Sequence, residues 1–236
     1  MGYIKRIGHL YIYVRKGVRM ETSVHVLDRV QTPRGELQLQ RRGSHYEIIN
    51  NGIFLMATYN GESEKYLVRQ ALASVASPKR VVIGGLGVGF SLAEALRDSS
   101  VTEVVVIEIE NKIIEWNRTY LSAFSEASLE DPRTRVIHDD MLEWMKKETG
   151  QFDVICLDID NGPDWTVTEH NHDMYQPDSL RQLASLMRPG GAVSFWSASS
   201  SPDFYQLLKR VFHHVTAWKV SQNKGDDDCI YIASLA

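Results

Sequence analysis

The spacing of apolar and polar residues divides the chain into two regions with different periods. Between residues 22 and 59, apolar positions alternate with polar ones in short runs, separated by turns such as Asn50-Asn51-Gly52. This pattern predicts β-hairpins that form a small antiparallel unit. After a predicted helix over 62–75, β-branched runs alternate with segments of helical period. That alternation predicts βαβ units in a doubly wound, mainly parallel α/β sheet.

The second region contains seven predicted strands and five further helices. The strands are 80–83, 103–107, 135–138, 152–157, 192–196, 214–220 and 228–233, and the helices are 90–97, 111–121, 141–147, 178–187 and 203–212. Residues 186–191 predict a helix end followed by a glycine turn. The closing hairpin adds one antiparallel strand to the sheet. We expect an extension over 1–21, the hairpin unit over 22–60 and one α/β domain over 61–236.

Composition and charge exclude some classes of protein but do not indicate a particular reaction. The chain has 236 residues and a net charge of −4, which gives no general electrostatic reason to bind nucleic acid. No apolar run approaches the roughly 20 residues of a membrane span. Cys156 and Cys229 both lie in predicted strands, so we expect them reduced and buried in a cytoplasmic protein. The basic segment 1–20 is expected to be an extension that takes no part in catalysis. The alternatives are an extra strand or an oligomer contact.

A glycine-rich loop joins the strand 80–83 to the next helix. It places Gly84, Gly85, Gly87 and Gly89 before the helical run that begins at Phe90. Glycines leave room for a ligand, and the helix beyond offers free N–H groups and a positive dipole end. The loop predicts a site for a nucleotide-like molecule. The alternative is a tight turn that binds nothing.

The next two strand ends carry acids that suit an adenosine. Glu108 follows the glycine loop by about twenty residues, where an acid can bind both ribose hydroxyls. Its alternative is a solvated acid at a helix start, which suits Glu110 better. Asp140 can accept from an adenine amino group with Met141 against the ring, or it can simply cap the following helix.

The fourth strand end holds the densest group of acids. Asp158, Asp160 and Asp164 lie together with Trp165. Carboxylates there can hold an amine, deprotonate it or offset a sulfonium charge, and an aromatic ring can stack on a cation. The alternative is a turn rich in Asp and Gly, with Asp158 as a cap.

Two other polar clusters do not predict a functional site. His170 and His172 lack a third ligand at convincing spacing, so we expect no metal. The run Asp226-Asp227-Asp228 is expected to be a solvated turn.

In combination, these motifs resemble those of class I S-adenosylmethionine-dependent transferases, and more closely those of the spermidine synthase (polyamine aminopropyltransferase) family. The resemblance covers roughly residues 22–235. It rests on segments 83–89, 106–110, 131–133, 139–140, 152–155, 158–163 and 188–191. It implies a Rossmann-like class I methyltransferase fold with a small N-terminal antiparallel β unit. It also implies that Glu108 binds ribose, Asp140 the adenine amino group, and Asp158 the amine nucleophile.

The expected ligands follow from that resemblance. The donor is S-adenosylmethionine or its decarboxylated form, and the acceptor is a small amine. Asp158 and Asp160 are the candidate catalytic residues, and the candidate acceptor-binding residues are Glu64, Asp164, Trp165, Asn171 and Tyr175. The exposed hairpins and the resemblance together suggest a homodimer.

Two departures from the family pattern keep the donor open. Gly87 stands where the family has an Asp that meets the amine of the decarboxylated donor, and the segment 63–66 lacks the family's His. The first departure favours methyl or aminocarboxypropyl transfer from S-adenosylmethionine, whereas the family favours aminopropyl transfer. A nicotinamide-dependent dehydrogenase and a binding protein without catalysis are the remaining alternatives.

Overall fold

The structure is a computed structural model that describes residues 3–7, 10–14, 23–159, 161–166, 169–221 and 227–235. The chain divides into two compact units, residues 1–55 and residues 56–236. Each unit has its own sheets, so each is described separately. The predicted Asp160 lies outside the described residues.

The N-terminal unit is antiparallel. A two-stranded sheet pairs β1 (Tyr3–Ile7) with β2 (Leu10–Val14). A four-stranded sheet runs in chain order through β3 (Val24–Thr32), β4 (Gly35–Arg42), β5 (His45–Asn50) and β6 (Ile53–Ala57). The strong turn at Asn51 and Gly52 has positive φ at both residues, as a tight two-residue hairpin requires. The predicted hairpins therefore form one meander.

The C-terminal unit contains a seven-stranded mixed sheet. Its strands are β7 (Arg80–Gly84), β8 (Glu103–Glu108), β9 (Thr134–His138), β10 (Phe152–Leu157), β11 (Met187–Ser197), β12 (His214–Val220) and β13 (Asp228–Ser234). Their order across the sheet is β12-β13-β11-β10-β7-β8-β9, with β13 antiparallel to both neighbours. The strand order reverses between β7 and β10, which is where doubly wound sheets bind ligands.

Within the described residues, six α-helices flank this sheet. They are α1 (Glu62–Ala73), α2 (Phe90–Arg97), α3 (Asn111–Arg118), α4 (Met141–Lys147), α5 (Pro177–Leu186) and α6 (Pro202–Val211). Helix α1 packs across β10, β11 and β13. A large apolar core fills the opposite face, where Leu157, Phe195 and Tyr231 meet side chains of α4, α5 and α6. The predicted mixed sheet between two helical layers is confirmed.

One predicted turn is wrong. Residues 186–191 do not form a loop, because β11 begins directly at Met187 and includes Gly190 and Gly191. Phe152 pairs with Met187 while Val154 pairs with Ala192, so the strand carries an irregularity at this point. Gly190, at φ +74°, absorbs the extra residues, which is the backbone freedom that a bulge requires.

Candidate functional site

The glycine turn is pressed against the end of β10. Gly84 accepts a 2.9 Å hydrogen bond from the Asp158 N–H, and Gly85 turns away with φ +89°. A Cβ on Gly85 would lie 2.1 Å from the Asp158 carbonyl oxygen. Only glycine allows this approach, so the turn and the acid loop after β10 form one edge of the sheet.

Glu108 fastens the end of β8 to the same turn. Its Oε2 accepts from the Leu86 N–H at 2.8 Å, and its Oε1 accepts from the Glu110 N–H at 2.8 Å. Burial raises the pKa of Glu108, while these backbone donors favour its charged form. The Ile109 N–H also stabilises this carboxylate, and a carboxylate with about four acceptor sites keeps capacity for one more donor. Glu108 therefore lies where the ribose role requires it, and that role stays a prediction.

Asn117 supports the turn from α3, a contact that sequence reasoning missed. Its Nδ2 donates to the Gly87 carbonyl at 2.8 Å and to the Ile113 carbonyl at 2.9 Å. The residue is 1% exposed, so these bonds are shielded from water. Its position on the buried face of an amphipathic helix was the available signal. Asn117 is a positioning residue for the loop.

Asp140 caps α4 at the end of β9. Its Oδ1 accepts from the Leu142 N–H at 2.7 Å and from the Glu143 N–H at 3.2 Å. The capping alternative is therefore observed, but it uses one oxygen only. The other, Oδ2, lies 3.6 Å from the His170 Nε2. Met141 is 6% exposed and packs into the apolar core. Adenine contacts by Asp140 and Met141 stay predictions.

Three acids approach one another on the α1 side of the sheet. Leu157 and Cys229 point into the opposite core, so strand alternation directs Asp158 and Asp228 towards α1. Glu64, on the first turn of α1, is 5% exposed and accepts from the Ser63 hydroxyl at 2.9 Å. The arrangement concentrates negative charge beside the glycine turn.

The proximity of these acids changes their acidity. Burial, then the charge of Asp228, raises the pKa of Asp158 to about 7, against a hydrogen bond from Ser91. Burial, then the charge of Asp158, raises the pKa of Glu64 to about 8. Carboxyls with raised pKa values in one pocket can exchange a proton near neutral pH or pair with a cation. The geometry therefore suits an ammonium ligand.

Asp228 contradicts the sequence prediction of a solvated turn. It is the first residue of β13, it pairs with Val220 across the hairpin, and it is only 8% exposed. The adjacent Asp227 is exposed, as expected. The sequence does not distinguish the members of this run of acids. The register of β13 makes Asp228 buried while Asp227 stays exposed. Sequence reasoning therefore missed a residue of the acid group.

The loop after β10 is tied to the C-terminal strand. Asp164 accepts a 2.8 Å hydrogen bond from the Ser201 hydroxyl. The Tyr231 hydroxyl in turn accepts from the Ser201 N–H and donates to the Ser201 carbonyl. Asp164 thus has a structural bond beside its predicted acceptor role. Trp165 is 58% exposed, so its ring is available to a ligand.

Two other predicted acceptor residues occupy different surroundings. Asn171 is half-buried in a short 3-10 helix, Glu169–Tyr175. Tyr175 is 5% exposed and makes edge-on ring contact with Phe204 at 5.4 Å between centroids. The structure brings Glu64, Asp158 and Asp228 together but places the Tyr175 ring in the opposite core. Acceptor contacts by Asn171 and Tyr175 stay predictions.

The described ranges lack two features, a metal site and a membrane-spanning helix. There, no three His, Cys, Asp or Glu side chains are arranged to hold a metal ion. Over the same ranges, no helix combines the length and apolar character needed to cross a bilayer. Cys156 and Cys229 are buried free thiols.

The chain is similar to known proteins over much of its length. Residues 61–212 match the family model of the spermine/spermidine synthase domain. The chain is 29% identical over 180 residues to a polyamine aminopropyltransferase of Aeropyrum pernix, covering 69% of this chain and 55% of the relative. A second polyamine aminopropyltransferase, from Pyrobaculum islandicum, is 29% identical over 143 residues, covering 58% and 48%. The chain spans about half the length of these curated relatives.

Solved structures show the same architecture. A spermidine synthase in complex with the transition state analogue AdoDATO superposes with a TM-score of 0.78 at 18% identity, covering this whole chain and 80% of that one. The spermidine synthase from Thermotoga maritima gives a TM-score of 0.76 at 17% identity with the same coverage. This likeness confirms the predicted fold class. With the family match over 61–212, it follows that the chain belongs to the spermine/spermidine synthase family.

Proposed function

We propose that this protein transfers an aminopropyl group from decarboxylated S-adenosylmethionine to a small amine of the polyamine class. The products are an aminopropylated amine and 5′-methylthioadenosine. Family membership supports this function, and so does the similarity to polyamine aminopropyltransferases and spermidine synthases. The observation that carries it is the acid group beside the glycine turn, which consists of the buried Glu64 and Asp228 and the half-buried Asp158.

The donor half of the site is built by the turn and two strand ends. We assign Glu108 to the ribose hydroxyls, since its carboxylate is already held by the Leu86 and Glu110 N–H groups. The Asp140 Oδ2, which does not take part in the helix cap, is assigned to the adenine amino group. Close backbone approach at Gly85 leaves the turn without a side chain that would fill the nucleoside space.

The half of the site that binds the amine acceptor is formed by the three acids. An acceptor with two or more ammonium groups replaces acid–acid repulsion by attraction, which offsets the cost of burying the carboxylates. A pKa of about 7 leaves Asp158 able to accept a proton at neutral pH. We therefore assign Asp158 to the reacting nitrogen and Glu64 and Asp228 to the acceptor's charge.

The reaction is an in-line displacement. The amine lone pair forms a C–N bond to the propyl carbon on the sulfonium, and the C–S bond electrons return to sulfur. The proton lost from nitrogen passes to the Asp158 carboxylate and then to water. Because no bond to the protein forms, positioning of the two substrates supplies most of the catalysis.

The test is turnover by the full chain. Incubation with decarboxylated S-adenosylmethionine and a panel of diamines is expected to yield 5′-methylthioadenosine and an amine heavier by one aminopropyl group, measured by mass spectrometry. Asp158→Asn is expected to lower kcat at least about 100-fold, in the range for loss of an acid–base group. The matched control is Asp203→Asn, an exposed acid on α6. A fully active Asp158→Asn variant contradicts the assignment, and absence of turnover favours the non-catalytic alternative.

A second candidate is favoured by Gly87. The absence of an acid at this position removes a negative charge that would repel the carboxylate of ordinary S-adenosylmethionine, a methyl or aminocarboxypropyl donor. The same assay with that donor distinguishes the two, because the mass added to the amine differs in each case. The predicted homodimer and cytoplasmic location are separate proposals, and light scattering of the purified chain tests the first.

A further inference from the structure

A methionine side chain lies against the glycine turn at Gly87. The Met56 sulfur accepts a hydrogen bond from the Val88 N–H, with 2.9 Å between nitrogen and sulfur. Gly87 has φ +51°, and a Cβ built on it would lie 2.4 Å from the same sulfur and 3.3 Å from the Met56 Cε. The thioether therefore occupies the space that a side chain at residue 87 would need.

This contact changes what the turn offers to a ligand. Backbone N–H groups in a glycine turn before a helix are natural partners for an anion. A thioether is neutral and only a weak acceptor, so it covers the Val88 N–H without supplying charge. A donor whose tail ends in a carboxylate must displace Met56 to reach that N–H. A donor without the carboxylate has no such requirement.

We propose that Met56 is a specificity-determining residue for the donor tail, covering the Val88 N–H and the space beside Gly87 so that sulfonium nucleosides bearing a carboxylate are disfavoured. The inference rests on the proposed function, because it concerns the same donor site. It resolves the choice left open by Gly87. The residue that lacks a side chain is not an open space, since Met56 fills it from another part of the chain.

The same geometry explains why a single substitution at Gly87 is not expected to change the donor preference without also disturbing Met56. Any side chain at residue 87 would meet the Met56 sulfur and would also adopt a left-handed backbone conformation. Methionine is flexible, with three rotatable bonds, so it can withdraw only if another position is available to it. Residues 56 and 87 therefore act as a pair.

The experiment measures three affinities by calorimetry. The ligands are decarboxylated S-adenosylmethionine, S-adenosylmethionine and 5′-methylthioadenosine, which lacks the propyl tail. Met56→Ala removes the sulfur and the volume, whereas Met56→Leu keeps similar volume without the acceptor. In Met56→Ala, the affinity ratio is expected to shift about tenfold towards S-adenosylmethionine, the equivalent of one hydrogen bond to a charged group. Met56→Leu is expected to keep the wild-type ratio within about twofold.

The outcomes separate this inference from the proposed function. Unchanged 5′-methylthioadenosine affinity in Met56→Ala shows that the nucleoside site has stayed folded. If the ratio of the two donors then stays at its wild-type value, the role of Met56 is wrong while the proposed function stands. Tighter binding of S-adenosylmethionine than of the decarboxylated donor by the wild-type chain also overturns it. If none of the three nucleosides binds, the proposed function and the inference fall together.

Discussion

Replacing Glu64 by glutamine tests whether the buried acids lower the free energy of unfolding of the protein when no ligand is bound. Burial and Asp158 raise the pKa of Glu64 from the ordinary value of 4.5 to about 8. Between these values the folded state holds a proton that the unfolded state has released. The free energy of unfolding therefore falls as pH rises through this window and levels off above it. Glutamine keeps the side-chain shape and an oxygen for the Ser63 hydroxyl, so the substitution mainly removes the titration.

The magnitude follows from the two pKa values. At 1.36 kcal/mol for each pH unit, the span from 4.5 to about 8 sets an upper limit of about 5 kcal/mol. Relaxation around the pair reduces this, so we expect Glu64→Gln to be more stable than wild type by about 2 kcal/mol at pH 9. At pH 5 the two are expected to agree within about 1 kcal/mol. A smaller slope persists in the variant, because the pKa of Asp158 is also raised.

The assay is urea unfolding of the full chain at pH values from 5 to 9, with the slope against denaturant checked for constancy. Glu62→Gln is the matched control, because this neighbour on α1 has a side chain that is 78% exposed. It is expected to leave the pH profile unchanged. Parallel profiles for wild type and Glu64→Gln would refute the argument, since Glu64 would then titrate alike in the folded and unfolded chains.

Three further substitutions test other parts of the site. Asp228→Asn is expected to move the acid limb of kcat/KM to lower pH and to raise KM for the amine, because one acid charge is lost, whereas the exposed Asp227→Asn changes neither. Gly85→Ala is expected to abolish 5′-methylthioadenosine binding in calorimetry and to cost more than about 2 kcal/mol in urea unfolding, and retained binding would contradict the close approach. Tyr231→Phe is expected to cost about 1–3 kcal/mol because the Ser201 N–H loses its partner, and equal unfolding midpoints would contradict this.

Much of the fold could be read from periodicity. The strand Phe152–Leu157 and the helices Phe90–Arg97 and Met141–Lys147 lie where the pattern predicted them. Their apolar residues are buried on one face or the other of the central sheet, so local preference and tertiary packing agree. The β11 region differed because its Pro and Gly residues are typical of turns, and pairing with β10 overrides that local preference.

The site was less accessible to sequence reasoning because its contacts are distant in sequence. The acids at strand ends could be listed, since parallel strands place their carboxyl ends together. That Asp228 faces α1 depends on the register of a hairpin, and that Met56 fills the space beside Gly87 depends on tertiary packing. Neither leaves a local signature. Considered by itself, Gly87 predicts an unfilled space where the family has an acid. In the folded chain, the Met56 sulfur occupies that space.

The position of β13 has a consequence for how the protein matures during synthesis. This strand inserts between β11 and β12, and it carries both Asp228 and the Tyr231 hydroxyl that fixes Ser201. A ribosome-bound chain that has not yet released β13 lacks the third acid and the anchor of the loop after β10. The nascent protein is thus expected to gain its proposed amine pocket only once β13 has been released and has paired with β11.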